Sequence, residues 1–141
     1  MCLMALDIGE RRIGIAISES GVLATPHSVL RRKSKKEDFA RLARLIDELG
    51  VGRIIIGVPY SLSGPEAVGP QARRVLRYAE GLCQTISIPC DYFDESYSTV
   101  DAQAHLVVSG RKKVPIDAAA AAVILQNYLD VTRRQVGEKT D

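Results

Sequence analysis

Three acidic residues stand where a carboxylate is either costly or well placed for chemistry. Asp7 lies near the end of the almost wholly apolar run Cys2-Leu3-Met4-Ala5-Leu6-Asp7-Ile8. An acid there is unfavourable unless it is exposed at a sheet edge, paired, or bound to a cation. Glu95 follows the stretch ending Tyr92-Phe93-Asp94, at the carboxyl end of an expected strand, where open α/β sheets place ligands. Asp117 comes after the basic segment 110–115 and opens an alanine-rich helix. Three acids on three separated elements can converge at one edge of a sheet. Converged carboxylates repel unless a cation joins them, and hard oxygen ligands favour Mg²⁺ or Mn²⁺. Two such ions about 4 Å apart activate a water and stabilise the leaving oxygen of an in-line phosphodiester displacement. Spacing alone leaves a plainer account open, with Asp117 as a helix N-cap, Glu95 paired with an arginine and Asp7 capping a turn with Gly9.

Other residues gain meaning only beside such a site. Gly9 and Gly14 can admit a phosphate close to the backbone, although a glycine after a strand is most often a turn residue and no G-x-G-x-x-G or P-loop is present. Ser98 and Thr99 begin the capping box Ser98-Thr99-Val100-Asp101; they can donate to phosphate at a helix N-terminus, with capping the simpler role. The net charge of +2 is too small to imply a polyanionic partner. The basic residues are nevertheless clustered, in Arg11-Arg12, Arg31-Arg32-Lys33 with Lys35-Lys36, Arg73-Arg74, Arg111-Lys112-Lys113 and Arg133-Arg134. Arg11 and Arg12 follow Asp7, and Arg111 and Lys112 precede Asp117, so these four are candidates for backbone phosphate contacts. His27 and His105 have no partnered acid or nucleophile in sequence and stay outside the site.

The elements that must hold the acids can be read from periodicity. Residues 2–8 and 13–18 are apolar runs around the turn Gly9-Glu10-Arg11-Arg12, a β-hairpin signature. Residues 23–32 supply a third strand, limited by Pro26 to a late start or an edge position. From Lys35 the spacing of Phe39, Leu42, Ala43, Ile46 and Leu49 is helical, with Gly50 as C-cap. Residues 53–58 read as a strand buried on both faces, and 59–69 as a loop. A second helix follows Pro70 with Ala72, Val75, Leu76, Ala79, Leu82 and Cys83 as its apolar stripe. Residues 86–93 give another strand, 98–108 a third helix, and Asp117 onward a fourth whose alanines allow close approach to the sheet. The order β-β-β-α-β-α-β-α-α describes a meander followed by βα units.

At 141 residues, with 46% hydrophobic and 26% charged residues, the chain has the size and composition of one ordinary globular domain. The expected division is a single domain over 1–134 and a polar, frayed tail over 135–141. Three cysteines without a C-x-x-C spacing argue against a disulfide framework and a zinc site and for a reducing compartment. The start lacks a basic n-region and an h-region, and no run is long enough to span a bilayer, so the expected location is the cytoplasm, away from membranes. Aromatic content is 5% with no Trp, which favours recognition of nucleic acid through backbone and shape rather than base stacking.

Taken together, Leu6-Asp7-Ile8-Gly9-Glu10-Arg11-Arg12-Ile13-Gly14-Ile15-Ala16, Ala24-Thr25-Pro26, Ile56-Gly57-Val58-Pro59, Asp94-Glu95 with Ser98-Thr99, and Ile116-Asp117-Ala118-Ala119-Ala120 leading to Ile124-Leu125-Gln126-Asn127-Tyr128-Leu129 strongly resemble the YqgF/RuvX family, to about Asp130. The resemblance implies an α/β ribonuclease H-like fold, a five-stranded mixed sheet in order 3-2-1-4-5 flanked by helices. It also implies the acidic triad Asp7, Glu95 and Asp117 with Mg²⁺ or Mn²⁺. Members of the family are described as Holliday-junction-resolvase homologues and as nucleases maturing the 5′ end of pre-16S ribosomal RNA in bacteria. The expected function is therefore metal-dependent phosphodiester cleavage in ribosome biogenesis, with structured RNA as partner. Resolution of branched DNA is the alternative, and the expected assembly is a monomer or a weak homodimer. The family usually reads Asp-Glu-Arg where this chain has Asp94-Glu95-Ser96. Ser offers one hydroxyl where Arg offers a fork of donors, so a catalytically weak nucleic-acid-binding factor is a further reading. An actin-like ATPase would share the Asp-x-Gly turn but needs a second lobe, more chain than this.

Overall fold

The computed structural model describes residues 2–60, 69–95 and 115–139, with side chains given to residue 133. Five strands, β1 (Cys2–Ile8), β2 (Arg12–Ser18), β3 (Thr25–Arg31), β4 (Val51–Val58) and β5 (Cys90–Asp94), form one sheet in the order β3-β2-β1-β4-β5. The first three pair antiparallel as a meander, and β4 and β5 add in parallel to β1. Helices α1 (Lys35–Leu49) and α2 (Pro70–Thr85) supply the crossovers to those two strands. The last described helix is α3 (Ile116–Lys139). The helix expected over 98–108 lies outside the described residues.

Alternation along the strands sorts the core into two layers. Met4, Leu6, Ile8, Ile54, Ile56 and Val58 face α1 and α2, meeting Phe39, Leu42, Ile46, Val75 and Leu82. Leu3, Ala5, Ala16 and Ile55 face α3, meeting Ala121, Ala122, Ile124, Leu125 and Leu129. The central strands are thus apolar on both sides, as parallel strands covered by helices must be.

Local chemistry explains most boundaries. Ser34 caps α1, its Oγ accepting from the Glu37 N–H at 3.2 Å, and Gly50 ends the helix at φ 65°, the left-handed region that glycine enters without steric cost. Pro26 is accommodated because β3 is an edge strand and the register with β2 shifts between Ile15 and Ala16, just where Pro26 pairs. The structure departs from the sequence reading in three places. β4 starts at Val51 because Cys2 and β1 pair with it that early. β5 starts only at Cys90: Ile86 and Ile88 pack against the core from an irregular segment, and Pro89, lacking an N–H, contributes its carbonyl to the Ile54 N–H at 3.0 Å. α3 continues to Lys139, past the Gln135 at which a tail was expected.

The expectation of no disulfide is corrected. Cys83, near the end of α2, and Cys90, the first residue of β5, are joined by a disulfide with Cα atoms 6.4 Å apart, and Cys2 is the free thiol. Their spacing says nothing in sequence about pairing. It becomes a bridge because the chain doubles back between helix and strand.

Candidate active site at the carboxyl edge of the sheet

Helix α3 is anchored to the sheet at several points that together fix where its first turn falls. The Gln126 side chain accepts from the Ala24 N–H at 3.0 Å and donates to the Val22 carbonyl at 2.9 Å, tying the helix to the β2–β3 connection. Farther across the sheet, Tyr128 donates to Asp91 Oδ2 at 2.8 Å, and Arg53 donates to the same oxygen at 2.9 Å. Burial, then the hydrogen bond to Asp91, pushes the Tyr128 hydroxyl up from its ordinary pKa, so it remains a donor at neutral pH. Phe93 packs edge-on against Tyr128 at 6.1 Å. The five alanines Ala118–Ala122 are buried and keep the helix axis close to the strands.

That closeness brings two of the acids together. Asp7 pairs with Gly14 across the β1–β2 hairpin. On the other side Gly14 meets the backbone of α3, where a Cβ would collide with the Asp117 carbonyl. Only glycine leaves room for the first turn of α3 to settle there. Asp7 also shares the strand face of Leu3 and Ala5, which α3 covers. Asp7 and Asp117, far apart in sequence, therefore meet at the same edge.

Glu95 lies at the same carboxyl edge but farther away. It follows β5 directly, and β5 is separated from β1 by β4. The faces alternate so that Asp91 and Phe93 point toward α3, and Glu95 follows where the strand ends. Two strand spacings, on the order of 10 Å, separate its backbone from that of Asp7. Among the described residues, no three His, Cys, Asp or Glu side chains stand together closely enough to hold a metal ion. The donors at this edge are all carboxylate oxygens, the chemistry that suits a hard divalent cation.

The turn after Asp7 places the expected phosphate contacts unevenly. Gly9 closes the turn, its N–H donating to the Arg12 carbonyl at 2.9 Å, and a Cβ there would stand 2.8 Å from that carbonyl oxygen. Arg11 is exposed beside it. Arg12 is already engaged, with Nε 3.1 Å from Asp117 Oδ2. The sequence reading missed this pair, although the hairpin turn that carries Arg12 back beneath the helix start was legible. Ser98, Thr99, Arg111 and Lys112, with Ser96, lie outside the described residues.

A sequence profile of the RuvX family, described as Holliday junction resolvase, matches residues 1–131. The chain belongs to the RuvX family. Curated relatives agree: a protein of Thermoanaerobacter pseudethanolicus named "Putative pre-16S rRNA nuclease" is 42% identical over 136 residues, covering 92% of this chain and 96% of its own. A relative of the same name from Chloroflexus aurantiacus is 40% identical, covering 93% of this chain and 88% of its own. Among solved structures, RuvC of T. thermophilus in complex with a Holliday junction substrate superposes with a TM-score of 0.62 at 16% identity, over 94% of this chain and 96% of that one. A fowlpox virus resolvase bound to Holliday junction DNA gives 0.57 at 12% identity, over 94% and 99%. At those identities the likeness concerns the fold, which is ribonuclease H-like, as the RuvX resemblance in the sequence implied. No described helix is long and apolar enough to cross a membrane.

Proposed function

We propose that this RuvX-family chain is a phosphodiester-cleaving nuclease, a hydrolase that processes the 5′ end of pre-16S ribosomal RNA during ribosome biogenesis in the cytoplasm, with Asp7, Glu95 and Asp117 as its catalytic acids. The observation that carries the reading is the meeting of Asp7 and Asp117 over Gly14. Two half-buried acids on a strand and a helix, with Glu95 just past the end of β5, form an oxygen-donor edge at the carboxyl side of the sheet. The adjoining pair Asp7 and Asp117 would hold Mg²⁺ or Mn²⁺, which when bound would polarise the phosphate and lower the pKa of a water.

The chain's own residues would do the rest. Asp7 and Asp117 would hold the cation against which the reacting phosphate is drawn to the sheet edge, and Arg11 supplies positive charge along the adjoining backbone. Arg12 neutralises Asp117 until substrate and metal arrive, and is then released to contact phosphate. Glu95 completes the donor set from the far side. Gly9 keeps the turn low enough for a strand of nucleic acid to pass, and Ser98, Thr99, Arg111 and Lys112 are proposed as further phosphate contacts.

Two other readings each have an observation behind them. The family description favours cleavage of branched DNA, which would require two active sites and hence a homodimer rather than the monomer that suffices for an RNA end. The spread between Glu95 and the other acids favours a binding factor with weak catalysis. One experiment separates them: incubation of a labelled pre-16S RNA 5′ leader and of a synthetic four-way junction with Mg²⁺ or Mn²⁺, using wild type and Asp7→Asn. Cutting of the RNA alone, abolished by Asp7→Asn, is expected. Cutting of the junction alone promotes the resolvase, and binding without cutting removes the enzyme.

A further inference from the structure

A cavity of about 420 Å³ opens on the face of the sheet away from α3, between the β1–β2 turn, the start of α1 and the first half of α2. Four cations, Arg32, Lys35, Arg74 and Arg77, line it against a single carboxylate, Glu10. Glu10 is spent on Arg74, at 2.6 Å. Among the described residues no carboxylate pairs with Lys35 or Arg77, both of which are exposed. The remaining excess of positive charge sits in a concavity, where low-dielectric walls focus the field.

The inner wall is rigid and partly aromatic. Arg32 donates from Nη1 to the Gly9 carbonyl at 2.7 Å and lies over the Tyr78 ring, its guanidinium carbon 4.2 Å from the centroid. Tyr78 is fixed in turn by donating its hydroxyl to the buried Asp38 carboxylate at 3.0 Å. A guanidinium stacked on one side by tyrosine is a platform on which a nucleobase can stack. The volume lies within the range of small-ligand pockets. Apolar floor, flat cation and unpaired ammonium and guanidinium groups together match a phosphate-bearing nucleotide.

Position says where that nucleotide comes from. Asp7 faces α3, and Ile8, the next residue, lines the cavity, so the acids and the cavity lie on opposite sides of one short turn. We infer that the cavity is a subsite for a single-stranded nucleotide flanking the cleaved bond, its phosphate held by Lys35 and Arg77 and its base laid on Arg32. A duplex is too stiff to wrap around a sheet edge, whereas a single strand crosses the Gly9-Glu10 turn readily. The path of the strand rests on the nuclease reading; the binding itself rests on the cavity.

The test measures binding of a labelled single-stranded RNA oligonucleotide by fluorescence anisotropy without metal, across a series of salt concentrations. It compares wild type, Lys35→Ala with Arg77→Ala, and the charge-matched control Arg44→Ala with Arg133→Ala, whose positions are exposed and do not line the cavity. Cleavage with Mg²⁺ is followed in parallel, and a nucleoside monophosphate serves as competitor. The cavity variant is expected to bind on the order of tenfold more weakly at 0.1 M salt, with a salt slope lower by about 0.7 for each phosphate no longer neutralised. The control stays at wild type. Cavity and control variants that bind alike overturn the subsite, even if wild type cuts RNA and Asp7→Asn does not. Binding that depends on Lys35 and Arg77 in a protein that cuts nothing upholds the subsite and removes the nuclease reading. Strong competition by the monophosphate, with the oligonucleotide bound no better, replaces the strand with a free nucleotide and overturns the assignment.

Discussion

The Asp117 backbone rests directly on Gly14, the residue that pairs with Asp7, so one missing side chain brings a strand acid and a helix acid together. Gly14→Ala must push the start of α3 outward. Overpacking of this kind costs about 1–3 kcal/mol, and a displacement near 1 Å lowers turnover on the order of a hundredfold. Gly57→Ala is the matched comparison. Its new Cβ would stand 2.6 Å from Ile124 Cδ1, the mobile end of a side chain, so activity should survive. Urea denaturation and cleavage rates of both variants check this, and equal losses of activity would remove Gly14 from the site.

Arg12 competes with any cation for Asp117. The pair is largely solvent-exposed, with Arg12 at 60% and Asp117 at 32%, so it contributes little, about 0.2–1 kcal/mol. Arg12→Ala should therefore lower the metal concentration for half-maximal cleavage by up to about fivefold, while raising KM because a cation beside the phosphate is gone. A metal titration at saturating substrate measures the first and a substrate titration the second. An unchanged metal midpoint would mean that Arg12 does not compete with the cation for Asp117.

The strands and the α1 C-cap at Gly50 were legible because each has a local signal, alternation or a glycine past a helical stripe, and a carboxylate in an apolar run singled out Asp7; the sheet order came from the RuvX resemblance, and the Ser34 N-cap was not read. What the sequence hid is relational. Tyr78 did not join the expected α2 stripe, yet it is buried between Val75 and Leu82 because its hydroxyl meets Asp38 from α1. Nothing in its own neighbourhood announces that partner. Arg31-Arg32-Lys33 read as one basic cluster, but only Arg32 turns onto Tyr78 and Gly9. The Cys83 to Cys90 link was missed for the same reason. A pairing is a property of two places, and composition describes neither.

That disulfide closes a small loop, with a sequence separation of 7, and so removes modest entropy from the unfolded chain. Its reduction should cost about 2 kcal/mol. Urea midpoints with and without dithiothreitol give the value. Alkylation of the unreduced protein in denaturant should label Cys2 alone, since the other two thiols are bonded to each other. Three labelled thiols would show that Cys83 and Cys90 are not bonded.

Tyr78 gives the fold an alkaline limit. Burial first, then the hydrogen bond to Asp38 and that carboxylate's charge, push its pKa well above the ordinary value near 10. The folded chain therefore holds this proton more tightly than the unfolded chain. Its stabilisation is complete below about pH 10 and is lost as pH rises from there toward the folded value. Tyr78→Phe removes a hydrogen bond to a charged group, costing about 2 kcal/mol at neutral pH. Asp38 keeps its contacts with Arg41 Nη2 at 3.0 Å and the Lys33 N–H at 2.9 Å, so the variant should still fold. Its stability should also fall less steeply than wild type through alkaline pH. Tyr128 and Tyr92 shift in the same direction, so the flattening is partial. Urea midpoints measured from neutral pH to about pH 11 decide the point, because equally steep declines in both proteins would place the alkaline loss elsewhere.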